Sequence, residues 1–391
     1  MKTGFIIKHD DIDVCTIAFT GSFRIERVDQ IMSPEHLPPY ILHSSGRDIY
    51  KFDEWYSGRA ISNNREGIQD ILLKYNVNSP RELLLKNYGL SLYDHYWVCP
   101  ANKNLKWKDI NFFENSFKED AGNILIGDFS NEYIEGLTPE SSSGGALPKK
   151  WVCRGGGTYL IKRGSGYYRQ EPFNEVIASA IMKKLGIDCV DYSLEREEGE
   201  PRCCCKNMLG TGEELIHAWD IVHEIKAKED KYKSFLQMAE NAGINNIELD
   251  LDKMLSLDYI IANTDRHFNN IGFIRNARTL EYKGLAPVYD SGASLWHDKT
   301  ADEIIGGENT ACKPFKSHHR DQIKKVRHLG WFDVNKRNDI NEIICEVLLK
   351  NNKIDQKKLS AIIRNVLSRV DKIERIKYEL AKQKDYGGYG R

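Results

Sequence analysis

Between Leu251 and Gly292 the chain changes character in a fixed order that restricts the folds open to it. Apolar residues at helical spacing (Leu251, Met254, Leu255, Leu257, Tyr259, Ile260, Ile261) lead straight into Asn263-Thr264-Asp265-Arg266-His267-Phe268-Asn269-Asn270. A short β-type run, Ile271-Gly272-Phe273-Ile274, follows, and polar turn residues occupy Asn276 to Thr279. A second apolar stretch, Leu285 to Tyr289, then delivers Asp290-Ser291-Gly292. Either polar motif alone is common loop chemistry, because Asp, Asn and Gly suit turns. Their shared helix, loop and hairpin context sets them apart.

An aspartate, an asparagine five residues on and a later Asp-x-Gly are the parts that phosphoryl transfer needs. In that chemistry Asp265 accepts the proton of an attacking hydroxyl, while Asn270 and Asp290 hold magnesium against the ATP phosphates. The Asp-x-x-x-x-Asn spacing matches the catalytic loop of protein kinases, and Asp290-Ser291-Gly292 has the outline of their metal-binding Asp-Phe-Gly.

A chain of 391 residues is long enough for two or three subdomains. Its net charge of −1 gives no broad electrostatic footprint for nucleic acid, so no direct nucleic-acid binding is expected. Nothing approaches a membrane span, and Lys8, His9 and the aspartates after them interrupt any signal-like start, so a cytoplasmic protein is expected. Nine cysteines, three of them adjacent (Cys203, Cys204, Cys205), make a poor disulfide framework and are expected to be reduced. His217, His223 and Glu224 make only a weak metal motif, since the histidines sit six apart.

The first hundred or so residues mix short strands and helices. Ser79-Pro80-Arg81-Glu82 reads as a capping box stopped by Gly89, and Leu90 to Val98 as a strand. Trp97, Trp107, Phe112, Phe113 and Phe117 read as packing residues, because the acidic residues among them oppose a nucleic-acid stacking face. Thr138 to Pro148 is rich in Ser and Gly and taken alone reads as a flexible linker. Beyond it, Trp151–Cys153 and Thr158–Lys162 form a hairpin, and Glu171 to Met182 a helix closed by Gly186. Lys162 ends a strand where a nucleotide-phosphate lysine would sit, with Glu175 in reach on the helix; Lys149 and Lys150 are the substitutes. Ile187–Leu194 and Arg202–Leu209 form a second hairpin, and Thr211-Gly212-Glu213-Glu214 reads as the cap of a helix. The adenine is expected near Lys206, Asn207 and Met208, at a lobe boundary close to Gly210. Two helical patterns fill Asp339 to Gln383, and the tail from Lys384 to Arg391 reads as disordered.

Several stretches in one order resemble the HipA-like kinases. They are Leu90 to Trp97, Glu171 to Ala178, Leu257 to His267, Ala286 to Gly292 and Cys312-Lys313-Pro314-Phe315. The resemblance implies an α+β, divergent bilobal protein-kinase-like fold. It divides into an N-terminal α/β extension (1–137), a strand-rich N-lobe (138–210) and a helical C-lobe (211–391). It implies ATP and Mg2+ as cofactors, Asp265 as base, Asn270 and Asp290 as metal ligands, and Lys162 as the phosphate lysine. It also implies that Ser141, Ser142, Ser143, Gly144 and Gly145 form a phosphate loop, in which a serine is autophosphorylated and the loop ejected. A protein substrate and a small DNA-binding antitoxin are the implied partners of such a toxin. Thr264, not an arginine, precedes Asp265, and no Gly-x-Gly-x-x-Gly is present, so either the Ser/Gly loop covers the phosphates or the nucleotide binds weakly.

Three functions fit these residues: a serine/threonine kinase acting on protein, a small-molecule phosphotransferase, or a non-catalytic nucleotide-binding regulator. The complete set of Lys162, Glu175, Asp265, Asn270 and Asp290 argues against the third. The acceptor groove decides between the other two.

Overall fold

Phe52, Trp55 and Tyr56 recur at helical spacing in Ile49–Arg59 (α1), and all three are buried. Their partner is an antiparallel sheet ordered β3-β2-β1-β4, formed by Phe5–His9 (β1), Ile12–Phe19 (β2), Ile25–Ile31 (β3) and Tyr96–Pro100 (β4). The structure is a computed structural model and describes residues 4–127, 135–145, 147–197, 199–304 and 310–387. Ser79 caps Pro80–Lys86 (α2) by accepting the N–H of Glu82, and Gly89 follows in the left-handed region at φ 66°.

The strand expected from Leu90 begins only at Tyr96. Ser91 Oγ accepts the N–H of Tyr93 and Asp94 Oδ1 that of Tyr96, so local side-chain bonds replace ladder bonds over this stretch. Leu90 and Leu92 are nevertheless buried, packed with Trp97 and Trp151.

The second sheet runs β5-β6-β8-β7, built from Lys149–Arg154 (β5), Gly157–Arg163 (β6), Tyr192–Glu197 (β7) and Glu200–Lys206 (β8). Lys162 lies opposite Lys149 on one side and Cys203 on the other. Pleating separates the three adjacent cysteines: Cys203 and Cys205 join the core with Trp97, and Cys204 packs on the opposite face with Val152. All nine cysteines are free. Between β6 and β7 runs Glu171–Leu185 (α3), with Pro172 in its first turn and Gly186 at φ 66° past its end.

The helix expected after Thr211 is a strand. Glu213–His217 (β9) pairs with Gly272–Asn276 (β10), which pairs in turn with Tyr282–Leu285 (β11). The reason is Glu214, which lies across the ladder from Arg275 and receives both Nε and Nη2 of its guanidinium. Its other oxygen accepts the backbone N–H of His95 at 2.9 Å and lies 2.8 Å from His9 Nε2. Burial would raise this carboxyl, but His9 and Arg275 outweigh it and hold it well below the usual carboxylate range. A fully buried ionic knot thus fastens the first sheet to the third.

The largest core lies in the helical half. There Phe173, Ile177 and Ile181 of α3 meet Glu248–Ile260 (α4), Arg337–Leu348 (α5) and Gln356–Gly387 (α6). The last helix continues to Gly387, so the disorder expected from Lys384 does not hold for residues 384–387; good helix formers such as Ala381 and Lys382 carry it on. The rest of that expectation lies outside the described residues. Among the described residues no helix is long and apolar enough to cross a membrane.

Candidate active site

Helix α4 ends where Ala262 turns left-handed at φ 53°, and the chain then bonds back on itself. Asn263 donates its backbone N–H to Asp258 O and its side-chain amide to Asp258 Oδ1, while its own Oδ1 accepts the N–H of Asp265 at 3.1 Å. Asn270 closes the loop by donating Nδ2 to the backbone oxygen of Asp265 at 2.9 Å. A carbonyl accepts only from the NH2 side, so this bond turns the oxygen of Asn270 away from the loop backbone.

Arg266 holds this loop to the next. All five of its N–H groups are used: Nε and Nη2 on the Asp258 carboxylate, Nη2 also on Ser291 Oγ, and Nη1 on the carbonyls of Asn270 and Tyr289. The side chain is fully buried, so the Asp265–Asn270 loop and the Asp290 loop are one rigid body.

Asp290 sits at φ 55°, a conformation that costs a non-glycine residue about 1–2 kcal/mol. It presents Oδ1 to Lys162 Nζ at 2.8 Å. The same ammonium lies 2.6 Å from Glu175 Oε1, and Glu175 Oε2 accepts the N–H of Ser291 at 2.8 Å. Lys162 is 7% exposed and Asp290 35%. Burial opposes the lysine charge, but Asp290 and Glu175 outweigh it and raise Lys162 well above its ordinary value. Burial likewise opposes ionised Asp290, and Lys162 with Lys149 holds it below the usual range. Burial raises Glu175 against the pull of Lys162. Helix α3 is fixed over the loop by two amides: Asn174 Nδ2 donates to the carbonyls of Gly292 and Ser294, and Gln170 Nε2 to that of Leu295.

The Thr138–Pro148 stretch is not a flexible linker in its first half. Pro139–Ser142 is a 3-10 turn, and Ser141, Ser142 and Ser143 are buried. Ser141 Oγ donates to Thr138 O, and Ser142 Oγ to Leu90 O at 2.9 Å. The N-terminal extension grips the turn further: Ile61 N bonds Ser141 O, Asn87 Oδ1 accepts Thr138 N, and Arg65 donates to Gly145 O. Gly144 and Gly145 are the exposed part, Gly145 at φ 80°. Lys149 approaches Gly145 so closely that a Cβ there would lie 3.0 Å from its ammonium. Burial, with Arg65 and Lys162 nearby, pulls Lys149 down to about 8 against the opposing pull of Asp290.

Lys206, Asn207 and Met208 line a cavity of about 250 Å³ with Cys189, Val190, Asp191 and Pro287. None of Lys162, Asp265 or Asp290 lines it, so the cavity adjoins the crossover after β8 rather than the charged group. Met208 also packs with Tyr93 and Tyr289 beside Leu215, Ile274 and Ala286.

Among the described residues no three His, Cys, Asp or Glu side chains converge as a metal cage. One carboxylate and one amide oxygen, Asp290 and Asn270, instead fit magnesium that arrives with a triphosphate and keeps phosphate and water ligands. Lys162 and Lys149, side by side on the sheet, fit the phosphates.

The family model for the HipA-like C-terminal domain matches residues 141–372. This chain belongs to that family. A curated relative of this HipA-like chain is the serine/threonine-protein kinase CtkA of Helicobacter pylori, 22% identical over 153 residues. That alignment covers 35% of this chain and 44% of CtkA, under half of the relative. The crystal structure of H. pylori CtkA is similar at TM-score 0.46 and 17% identity, covering 60% of this chain and 95% of that one. HipA of Shewanella oneidensis, solved in a toxin–antitoxin complex with HipB and operator DNA, is similar at TM-score 0.53 and 13% identity, covering 95% and 99%. The fold is therefore the kinase-like α+β arrangement expected of the family.

Sequence reasoning assigned no role to Arg266, Asn174 or Gln170. The first stood in plain view inside the Asp265 motif, and Asp258 eight residues before it was the signal of a buried partner. Gln170 and Asn174 are a polar pair four apart at the start of an apolar helix.

Proposed function

We propose that this chain is an ATP- and magnesium-dependent kinase that phosphorylates serine or threonine in a protein. The observation that carries the reading is the meeting of Lys162, Glu175 and Asp290 within 2.8 Å, from a strand, a helix and a loop, on the body that also holds Asp265 and Asn270. Separated in sequence by up to 128 residues, they form the charge pattern a triphosphate requires. ATP supplies the phosphoryl group, and its magnesium offsets the phosphate charge. Asp265, 44% exposed, faces solvent where an acceptor hydroxyl arrives and takes its proton. Asn270 and Asp290 hold the metal, Glu175 orients Lys162, and Lys162 and Lys149 bind phosphate oxygens.

The proposal includes autophosphorylation at Ser141, Ser142 or Ser143. Because the hydroxyls of Ser141 and Ser142 face inward, the turn must open before either accepts phosphate. The added charge of about −1.5 to −2 then keeps the loop out of a site built for other phosphates. A small DNA-binding antitoxin is the proposed partner, supported by the HipB complex of the structural relative.

The test is incubation with labelled ATP and Mg2+, alone and with cell lysate. Labelled protein bands, with phosphate mapped by mass spectrometry to residues 141–143 and absent from Asp265→Ala, are expected. Label confined to small molecules sinks the protein-kinase reading in favour of a small-molecule phosphotransferase. A triple Ser→Ala protein with full activity, and no phosphate on the wild-type turn, removes the autophosphorylation claim.

A further inference from the structure

Phosphoryl transfer places negative charge on the oxygens of the group in transit, and a cation beside the base is the usual means of holding it. The Asp265–Asn270 loop does not supply a free one. Arg266 spends all five donors inside the fold, and His267 stands 3.7 Å from Asp265 Oδ2 with an imidazole in place of a permanent charge. Lys162 is engaged by Glu175 and Asp290 on the other side of the site.

Lys313 fills that position from another segment. Its Nζ lies 2.8 Å from Asp265 Oδ1, and the side chain is 55% exposed. An exposed ion pair is ordinarily incidental, but this lysine is mounted on a built support. Buried Gln322 donates Nε2 to Lys313 O at 2.8 Å, and its Oε1 accepts the N–H groups of Phe315 and Lys316. Phe315 is sunk among Tyr232, Phe235 and Phe268, and Phe268 is itself part of the Asp265–Asn270 loop. Farther on, His319 Nε2 bonds the carbonyl of Asn263 at 2.8 Å. The turn carrying Lys313 and the loop carrying Asp265 are thus joined at the backbone and through a shared aromatic core.

We infer that Lys313 is a catalytic residue whose ammonium bridges Asp265 and the phosphoryl group in transit. This rests on the kinase reading above. In the step itself the acceptor hydroxyl oxygen bonds to the γ-phosphorus. The bond from that phosphorus to the β–γ bridging oxygen breaks, its electron pair leaves with ADP, and the hydroxyl proton passes to Asp265. One N–H of Lys313 stays on Asp265, orienting the base, and the others meet the equatorial oxygens as their charge rises.

The test measures ADP formation from ATP–Mg with a heat-treated cell lysate as the source of protein acceptors, and the affinity of a fluorescent ATP analogue, for wild type, Lys313→Met, Lys313→Arg and the exposed neighbour Lys316→Ala. Methionine keeps the stem, so the turn stays packed. Expected for Lys313→Met is a kcat reduced about 100-fold, on the scale of one preorganised donor, with nucleotide affinity and melting temperature unchanged. Arginine should restore at least part of the rate, and Lys316→Ala should match wild type. A Lys313→Met kcat within threefold of wild type overturns the inference, as does a loss that merely parallels a fall in melting temperature. A wild type that binds ATP–Mg and forms no ADP overturns the kinase reading and this inference with it, whereas an active wild type indifferent to Lys313 overturns this inference alone.

Discussion

Glu175 Oε2 accepts the backbone N–H of Ser291 at 2.8 Å. The helix that orients Lys162 therefore also grips the residue after the proposed metal ligand, and the two halves of the site move as one. A carboxylate at position 175 has two tasks, one on each oxygen, which sets what its loss does.

Asp265 and Asp290 should each be indispensable. On the proposed roles, Asp265→Asn removes proton acceptance and Asp290→Asn weakens metal binding, and both replacements keep the side-chain shape. Turnover of labelled ATP should fall below detection in either variant, while circular dichroism stays that of wild type. Near-normal turnover in folded Asp290→Asn would remove Asp290 from the site.

Lys162→Ala leaves Glu175 and Asp290 facing one another without their shared cation. Removing one partner of a buried pair costs about 3–5 kcal/mol, and ATP use should fall by roughly 10- to 1,000-fold. Glu175→Ala leaves Lys162 with Asp290 and should be milder on both counts. The double variant should recover part of the stability lost by Lys162→Ala and none of the turnover. Thermal melts that show simply additive losses would mean the three groups do not act as a unit.

The placing of Asp265, Asn270 and Asp290 on two loops after a helix was legible because short-range patterns carry it: a helix that ends, a polar loop and a hairpin. Lys162 with Glu175 was legible for the same reason, as a strand end followed by a helix start. What the chain concealed depends on distant partners. Glu213 and Glu214 look like a helix start until Arg275, 61 residues on, draws Glu214 into a strand ladder. The serine-rich turn looks like a linker because its anchors, Ile61, Arg65, Asn87 and Leu90, lie in the N-terminal extension. Composition reports local freedom and says nothing of burial imposed from elsewhere.

Arg266 should tolerate no replacement. Arg266→Ala strands the Asp258 carboxylate in the core and should cost about 3–5 kcal/mol. Arg266→Lys keeps the charge but replaces five directed donors with a point charge, so it should fail nearly as badly. Exposed Arg320→Ala is the control and should stay within about 0.5 kcal/mol of wild type. Chemical denaturation compares the three; a stable, active Arg266→Lys would show that charge alone fastens the two loops.

Lys149, if it binds phosphate as proposed, should give the site a dependence on pH. Its folded value of about 8 lies below the ordinary 10.5, so it is charged below about 8 and loses its proton above. Phosphate binding needs the charge, and bound phosphate favours it, which moves the midpoint upward in the complex. Affinity for ATP–Mg should therefore be highest below about 8 and weaken as pH rises, by about tenfold if one charge-assisted contact is lost. Stability contributed by Lys149 runs the other way. Between about 8 and 10.5 the unfolded chain holds the proton more tightly than the folded one, so the fold gains as pH rises through that window. Calorimetric titration of wild type and Lys149→Met from pH 7 to 9.5 reads the binding effect, and thermal melts over the same range read the stability effect. The variant should bind weakly at pH 7 and show a flat profile. A wild-type profile that is equally flat, or a Lys149→Met variant that keeps the slope, would show that Lys149 does not touch the nucleotide.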